Sequence, residues 1–378
     1  MPRPRTPDDL SGRPATSAAP YWPDFRGLRV AVVGDLVADR YIYARPTRPS
    51  REAPVVVLRE EGQEILPGGA ANTARNVRSL GASVQLVGCL GRDDAARALL
   101  QRLGREGVGL AGVEVVGGWE TPIKTRVMAG EHNRTLQQVL RLDREPSGPA
   151  PLERRLKLVE RFLQLAGDVD AVIVSDYGYG MCGVGLAEAV ARLRETSDVP
   201  VVLDPRQRFK SFRGVAAMTP NREDLARAVG RDSEELEDPS ALARAAHVVL
   251  GEAGPGLLLV TLGKGGMALF GPGLPDTGLS LPAFGSQAVV DVTGAGDTAA
   301  ATFALGLALG LSGPAAMVVA NAAAGVVVMK LGAEVCSPEE LGRALAALPP
   351  DVLPGVLRGE LMPSGVVLPD GVGKLGLV

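Results

Sequence analysis

Histidine and cysteine are both scarce in this chain of 378 residues, which holds two histidines, His132 and His247, and three cysteines, Cys89, Cys182 and Cys336. The histidines stand alone, which argues against a structural zinc site and against Ser-His-Asp chemistry. The cysteines are far apart and form no CxxC pair, so neither a disulfide framework nor a zinc site is expected, and a reducing cytoplasm fits best. An excess of either charge is also missing: the net charge is −3 and the pI about 5.7. No basic footprint for nucleic acid remains. The P-loop is absent in its standard form, because GxxxxGK followed by Ser or Thr occurs nowhere and Lys264 is followed by Gly265.

The N-terminus lacks an apolar core of signal-peptide length. Residues 1–26 are rich in Pro, Arg, Ser and Thr and carry Asp8 and Asp9, and they read as a disordered extension. Residues 299–320 contain no charge, but Gly306, Gly310, Ser312, Gly313 and Pro314 interrupt them. Two buried helices are therefore expected, with no membrane span. The tail 349–378 is rich in Gly, Pro and Val without clear period and is assigned no chemistry.

Between these ends lies an α/β pattern. The run Leu28 to Gly34 is continuously apolar and closed by Gly34 and Asp35, as expected of a buried strand in a parallel sheet. Further apolar strands at 84–89, 171–175, 201–204 and 257–262 alternate with helical stretches, which predicts a mostly parallel sheet with helices on both faces. Residues 39–60 and 112–143 read instead as short β-prone pieces without helical period. They predict a small β-layer standing off the α/β body as a lid, whose exposed edges suit a homodimer. One α/β domain over residues 27–348 is the resulting division.

Two stretches carry chemistry. In Val289 to Thr302 a strand end, a glycine turn and the start of an apolar helix bring Gly294, Ala295 and Gly296 next to Asp297. A helix start offers unpaired N–H groups and partial positive charge to a phosphate, and an acid beside it can take a proton from an attacking hydroxyl. Alternatively, Asp297 only caps the helix. In Leu66 to Asn76, Gly68 and Gly69 would admit a ligand close to the backbone, and Asn72 offers a donor and an acceptor to hydroxyls. Asp35, at the end of the first strand, would complete a polyol-binding pair with Asn72. The pattern GxGxxG/A also occurs, at Gly294 to Ala299 and at Gly107 to Gly112. The first has no acid about 20 residues on to hold a ribose and the second follows no strand, so a dinucleotide site is poorly supported.

Together, Gly68-Gly69-Ala70-Ala71-Asn72 and Asp291-Val292-Thr293-Gly294-Ala295-Gly296-Asp297 resemble the two signatures of the ribokinase-like (PfkB) carbohydrate kinases, in the same order. Ser175-Asp176-Tyr177, Asp204-Pro205, Thr219-Pro220-Asn221, Val260 to Gly263 and Asn321 to Gly325 extend the resemblance over most of the chain. Arg51 to Val55, Gln137 to Asp143 and Ala322 to Gly332 look in particular like the heptose 7-phosphate kinases of that family. The resemblance implies a three-layer fold with a β lid and an ATP-dependent phosphorylation of a sugar or sugar phosphate. It implies Asp297 as base, N–H groups of residues 294–296 as anion hole, and the sugar held by Asp35, Gly68, Gly69, Asn72 and Asp176. ATP is expected beside Asn221, Asp224, Thr261, Gly263, Gly266 and Asn321, with Mg²⁺ reached by Asp224 through water and with a monovalent cation.

Two departures matter. The family's Asn-x-x-Glu is Asn221-Arg222-Glu223-Asp224 here, and Gly178-Tyr179-Gly180 replaces the Gly-Lys-Gly usual in heptose kinases. Without that lysine, Arg51, Arg141, Arg206 and Lys210 are the candidate phosphate partners. Another sugar kinase of this fold, an NAD(P)-dependent oxidoreductase and a non-catalytic sugar-binding protein are the competing readings.

Overall fold

The computed structural model describes residues 23–130, 136–183, 185–285 and 289–348. The expected C-terminal tail, most of the expected N-terminal extension, and His132 lie outside the described residues. In chain order the elements are β1 (Arg29–Gly34), β2 (Leu36–Pro49), β3 (Val56–Gly69), α1 (Ala70–Ser79), β4 (Ser83–Gly91), α2 (Asp94–Arg105), β5 (Gly109–Val116), β6 (Ile123–Ala129) and β7 (Gln137–Arg144). There follow α3 (Leu152–Ala166), β8 (Ala171–Ser175), α4 (Leu186–Thr196), β9 (Val201–Asp204), β10 (Ala217–Met218), α5 (Arg222–Val229) and α6 (Pro239–Ala253). The last are β11 (Leu257–Thr261), β12 (Met267–Phe270), β13 (Leu279–Leu281), α7 (Ala295–Ala308), α8 (Gly313–Val327) and α9 (Pro338–Ala346).

Nine strands form the main sheet in the order β13-β12-β11-β10-β9-β8-β1-β4-β5. The run from β11 to β5 is parallel, and β12 and β13 add an antiparallel edge. Strand β1 shows why its sequence is apolar throughout: Val30 and Val32 join the core on one face while Ala31 and Val33 join the core on the other. Phe25 is already part of the first core, so the folded body begins slightly before residue 27.

The second sheet has the order β3-β2-β6-β7 and is the expected lid. One boundary differs from expectation. The stretch after Gly112 belongs to β5, which pairs in parallel with β4 at the edge of the main sheet. The reason is local: β5 follows α2, and a strand–helix–strand unit returns its second strand beside the first. The lid therefore takes β6 and β7 but not β5. The chain at 299–320 is two helices, α7 and α8, packed so closely that a Cβ on Gly306 would lie 2.9 Å from the Ala316 Cβ. Among the described residues no helix is long and apolar enough to cross a membrane.

Candidate active site

The carboxyl ends of β1, β8, β9 and β10 point to one place, where open α/β sheets bind ligands. There the starts of α1 and α7 meet. Asn72 on the first turn of α1 donates from Nδ2 to Asp297 Oδ2 at 2.8 Å, and one turn further Thr298 Oγ1 donates to Asn76 Oδ1 at 2.9 Å. Gly294 makes this contact possible. Its φ of +80° is left-handed, and a Cβ would stand 2.6 Å from Asn72 Nδ2. The two motifs that are distant in sequence are thus two halves of one contact.

Asp297 is 3% exposed. Burial pushes its pKa up to about 7, against the hydrogen bonds from Asn72 and from Tyr177, whose hydroxyl donates to Oδ1 at 2.8 Å. Asp39 adds to the upward push. Asn72 Oδ1 is buried and has no hydrogen-bond partner among the described residues, so an acceptor is left over beside the carboxylate.

Asp39 was not singled out from sequence, and Asp35 was. Asp35 Oδ2 accepts the N–H groups of Tyr177 and Tyr179, both at 3.0 Å, and Oδ1 accepts that of Met181 at 2.9 Å, so its carboxylate organises a loop. Asp39, on β2, is 5% exposed, and its Oδ2 lies where a Cβ on Gly68 would come within 2.3 Å. It accepts from Arg126 Nη1 at 2.5 Å. Asp176 likewise serves the loop, accepting from Gly178 N at 3.1 Å and Gln207 N at 3.2 Å. Asp35, Asp176 and Cys182 are close enough to hold an ion. These bonds occupy both carboxylates, however, and burial keeps the Cys182 thiol well above its usual pKa, so the group reads as a structural cluster.

The inner face of the lid is basic. Register places Asp39 beside Lys124 and Lys124 opposite Asp143, and in the next row Tyr41 beside Arg126 and Arg126 opposite Arg141. Lys124 is 6% exposed, with Nζ 6.0 Å from the Tyr177 ring centre and 5.8 Å from that of Tyr179. Burial, then neighbouring Arg141, lowers its pKa. Lys124 and Arg126 were missed because nothing in an isolated strand pattern says which face looks inward. Arg141 sits at this face, paired with Asp143 at 2.7 Å. Arg51 does not: it is exposed in the β2–β3 turn, roughly 30 Å along the strand from Asp39. Lys210 is also elsewhere, paired with Glu252 at 2.9 Å. Arg206 lines a cavity of about 390 Å³ together with Tyr177 and Tyr179.

A larger cavity of about 630 Å³ opens on the other side of the α7 start. Asn221, Thr261, Gly263, Gly266 and Asn321 line it, joined by Lys264, Phe284 and Val328, with Ala295 and Gly296 at its border toward Asp297. Asp224 is not among its lining residues; it caps against Arg227 at 2.6 Å, while Asn221 accepts its N–H at 2.7 Å. The Ala295 N–H is turned back to the Val292 carbonyl at 3.3 Å, so the three expected anion-hole donors are not equivalent.

A three-layer α/β body with a separate β lid, a nucleotide-sized cavity and a buried acid at a glycine-capped helix start define the class of small-molecule phosphotransferases. The chain belongs to the pfkB family of carbohydrate kinases, whose description matches residues 28–340. It is 38% identical over 327 residues to the "Bifunctional protein HldE" of Azorhizobium caulinodans, covering 86% of this chain and 66% of the relative. It is 40% identical over 328 residues to the HldE of Klebsiella pneumoniae subsp. pneumoniae, covering 85% and 64%. The chain thus spans about two thirds of the length of the curated relatives it matches. Among solved structures, Arabidopsis thaliana ribokinase complexed with ribose and ATP superposes with a TM-score of 0.62 at 23% identity, covering 84% of this chain and 98% of that one. Phosphofructokinase-2 from Escherichia coli in complex with potassium gives 0.67 at 17%, with coverage of 84% and 98%.

Proposed function

We propose that the protein transfers the γ-phosphoryl group of ATP to the C1 hydroxyl of a sugar phosphate, D-glycero-β-D-manno-heptose 7-phosphate, giving the 1,7-bisphosphate. The observation that carries this reading is Asp297, a buried carboxylate next in sequence to Gly296, which lines the 630 Å³ cavity, and hydrogen-bonded on its other side by Asn72 at 2.8 Å. The sugar hydroxyls bind Asp39 and the unpartnered Asn72 Oδ1. Asp297 draws the proton from the attacking hydroxyl, and the N–H groups at the α7 start hold the charge spreading over the transferred group. Because Ala295 N–H faces its own turn, Gly294 and Gly296 carry most of that task.

The nucleotide lies in the cavity with Asn221, Thr261, Gly263, Gly266 and Asn321 about it. The cavity is lined by the carboxylates of Glu223, Glu234 and Glu237, and Asp224, next to Glu223 and paired with Arg227, would reach Mg²⁺ only through water; that ion retains most of its own shell and neutralises phosphate charge. The 7-phosphate is met by Lys124, Arg126, Arg141 and Arg206, so a lysine from the lid serves where the loop presents Tyr179. Another sugar phosphate is the second reading, and Tyr179 is the residue that favours it. The lid closes over the sugar and excludes water, and the enzyme pairs as a homodimer through it.

The test measures ADP formation with a panel of sugars, with and without a distal phosphate, with and without K⁺. Turnover is expected with heptose 7-phosphate and not with unphosphorylated sugars; turnover restricted to unphosphorylated sugars would sink the substrate assignment. Asp297→Asn should lose at least roughly a thousandfold in kcat while folded, and near-normal turnover would remove Asp297 from the role of base.

A further inference from the structure

Two acids singled out in the sequence, Asp35 and Asp176, gather the N–H groups of one loop, and the loop places one phenol. Asp35 gathers the N–H groups of residues 177, 179 and 181, and Asp176 those of residues 178 and 207. Gly178 at φ +81° and Gly180 at φ +103° turn the backbone so that alternate N–H groups converge on Asp35. Gly69 clears space for the result, since a Cβ there would come 3.3 Å from the Tyr177 ring. The hydroxyl of that ring reaches Asp297 Oδ1 at 2.8 Å.

From this geometry we infer that Tyr177 is a positioning residue for the base: its hydroxyl fixes the orientation of Asp297 and keeps it ionised, and Asp35 acts on catalysis only through the loop that carries Tyr177. The inference rests on Asp297 being the base. A carboxylate with one donor on each oxygen, Asn72 on one and Tyr177 on the other, has no freedom to rotate away from its reacting direction. Both bonds also favour the charged form. The groups facing Asp297 are Asn72 and Thr73 from α1, Asp39 from β2, Tyr177 after β8, and Asp204 at the end of β9. Asp39 works toward protonation of Asp297. Asp204 is part-buried, and desolvation followed by the nearby Asp297 raises its pKa. Removing the phenol hydroxyl leaves Asn72 as the main donor against burial and Asp39.

Tyr177→Phe keeps the ring and its packing and deletes only the hydroxyl. The kcat–pH profile is measured with heptose 7-phosphate and saturating ATP for the wild type, Y177F and D297N. The acid limb of Y177F is expected to move up by about one pH unit, because a hydrogen bond to a buried charge is worth about that much. The variant then loses roughly tenfold at pH 6 and recovers toward wild-type kcat above pH 8.5. A loss of equal size at every pH, or an unmoved acid limb, overturns the inference. D297N separates the two levels: if it is inactive throughout, the base stands and Y177F alone decides, whereas an active D297N removes the base itself.

Discussion

Burial raises the Asp297 pKa to about 7, whereas an Asp in an unfolded chain titrates near 4. The folded state therefore holds its proton more tightly between those values. The stability associated with the neutral carboxyl is fully present below about pH 4 and is lost as pH rises through about 7. The base role proposed for Asp297 needs the opposite form, so turnover should rise with pH through about 7. D297N escapes the penalty. Urea denaturation should find it more stable than the wild type by roughly a few kcal/mol at pH 8, with the gap closing toward pH 4; a gap that does not vary with pH would remove the linkage. Asp35, raised to about 6, acts in the same direction in both proteins and cancels from the comparison. Gly294→Ala tests the neighbouring contact. It forces a side chain into a left-handed backbone and against Asn72, and is expected to lower kcat about a hundredfold with roughly 1–2 kcal/mol of lost stability, read by steady-state rates and a thermal melt. At this scale the sequence was legible where glycines and polar residues cluster. Asp35 and Asp39 lie in one apolar run, and only the break between β1 and β2 at Asp35 shows that the first acid turns inward to a loop while the second lies beside Gly68.

Parallel strands announce themselves because both faces are buried, and the alternation with helices is readable for the same reason. The lid is harder. Its strands are half exposed, their faces differ by one residue, and the pairing of β5 with β4 depends on a helix crossover that composition does not reveal. That is why the basic rows on β6 and β7 emerged only with the register. Lys124, 6% exposed against 8% for Arg126, is the best shielded cation of that hairpin, and it is predicted to meet the distal phosphate. Lys124→Ala should raise KM for heptose 7-phosphate by about 10- to 100-fold, the loss of a charge-assisted hydrogen bond, with kcat changed far less. Unphosphorylated sugars offer the contrast: if K124A weakens them equally, the lysine supports the lid and does not read the phosphate.

At the scale of the molecule the lid poses a different problem, since it carries its basic rows on one face and leaves the other face and both edge strands, β3 and β7, to be managed. Every residue of β7 is exposed, including Val139, Leu140 and Leu142 at 50–55%, and Val55 and Val56 are similarly open at the β2–β3 turn. By alternation, Arg141 and Asp143 take the inner face of β7 and Leu140 and Leu142 the outer. Open edges and exposed apolar residues on one small sheet suit pairing with a second copy of the same sheet. A dimer formed there would also hold each lid over its sugar, coupling assembly to turnover. Leu140→Lys with Leu142→Lys should therefore shift the protein from dimer to monomer in sedimentation velocity at micromolar concentration. Dissociation is expected to strengthen at least about a hundredfold, because each buried leucine contributes roughly 1.5–3 kcal/mol. KM for the sugar should rise in the same variant even though neither residue faces the pocket. A wild-type chain that sediments as a monomer at tens of micromolar would assign the exposed face to lid movement alone, and a monomeric double variant with unchanged KM would show that the lid holds its shape without a partner.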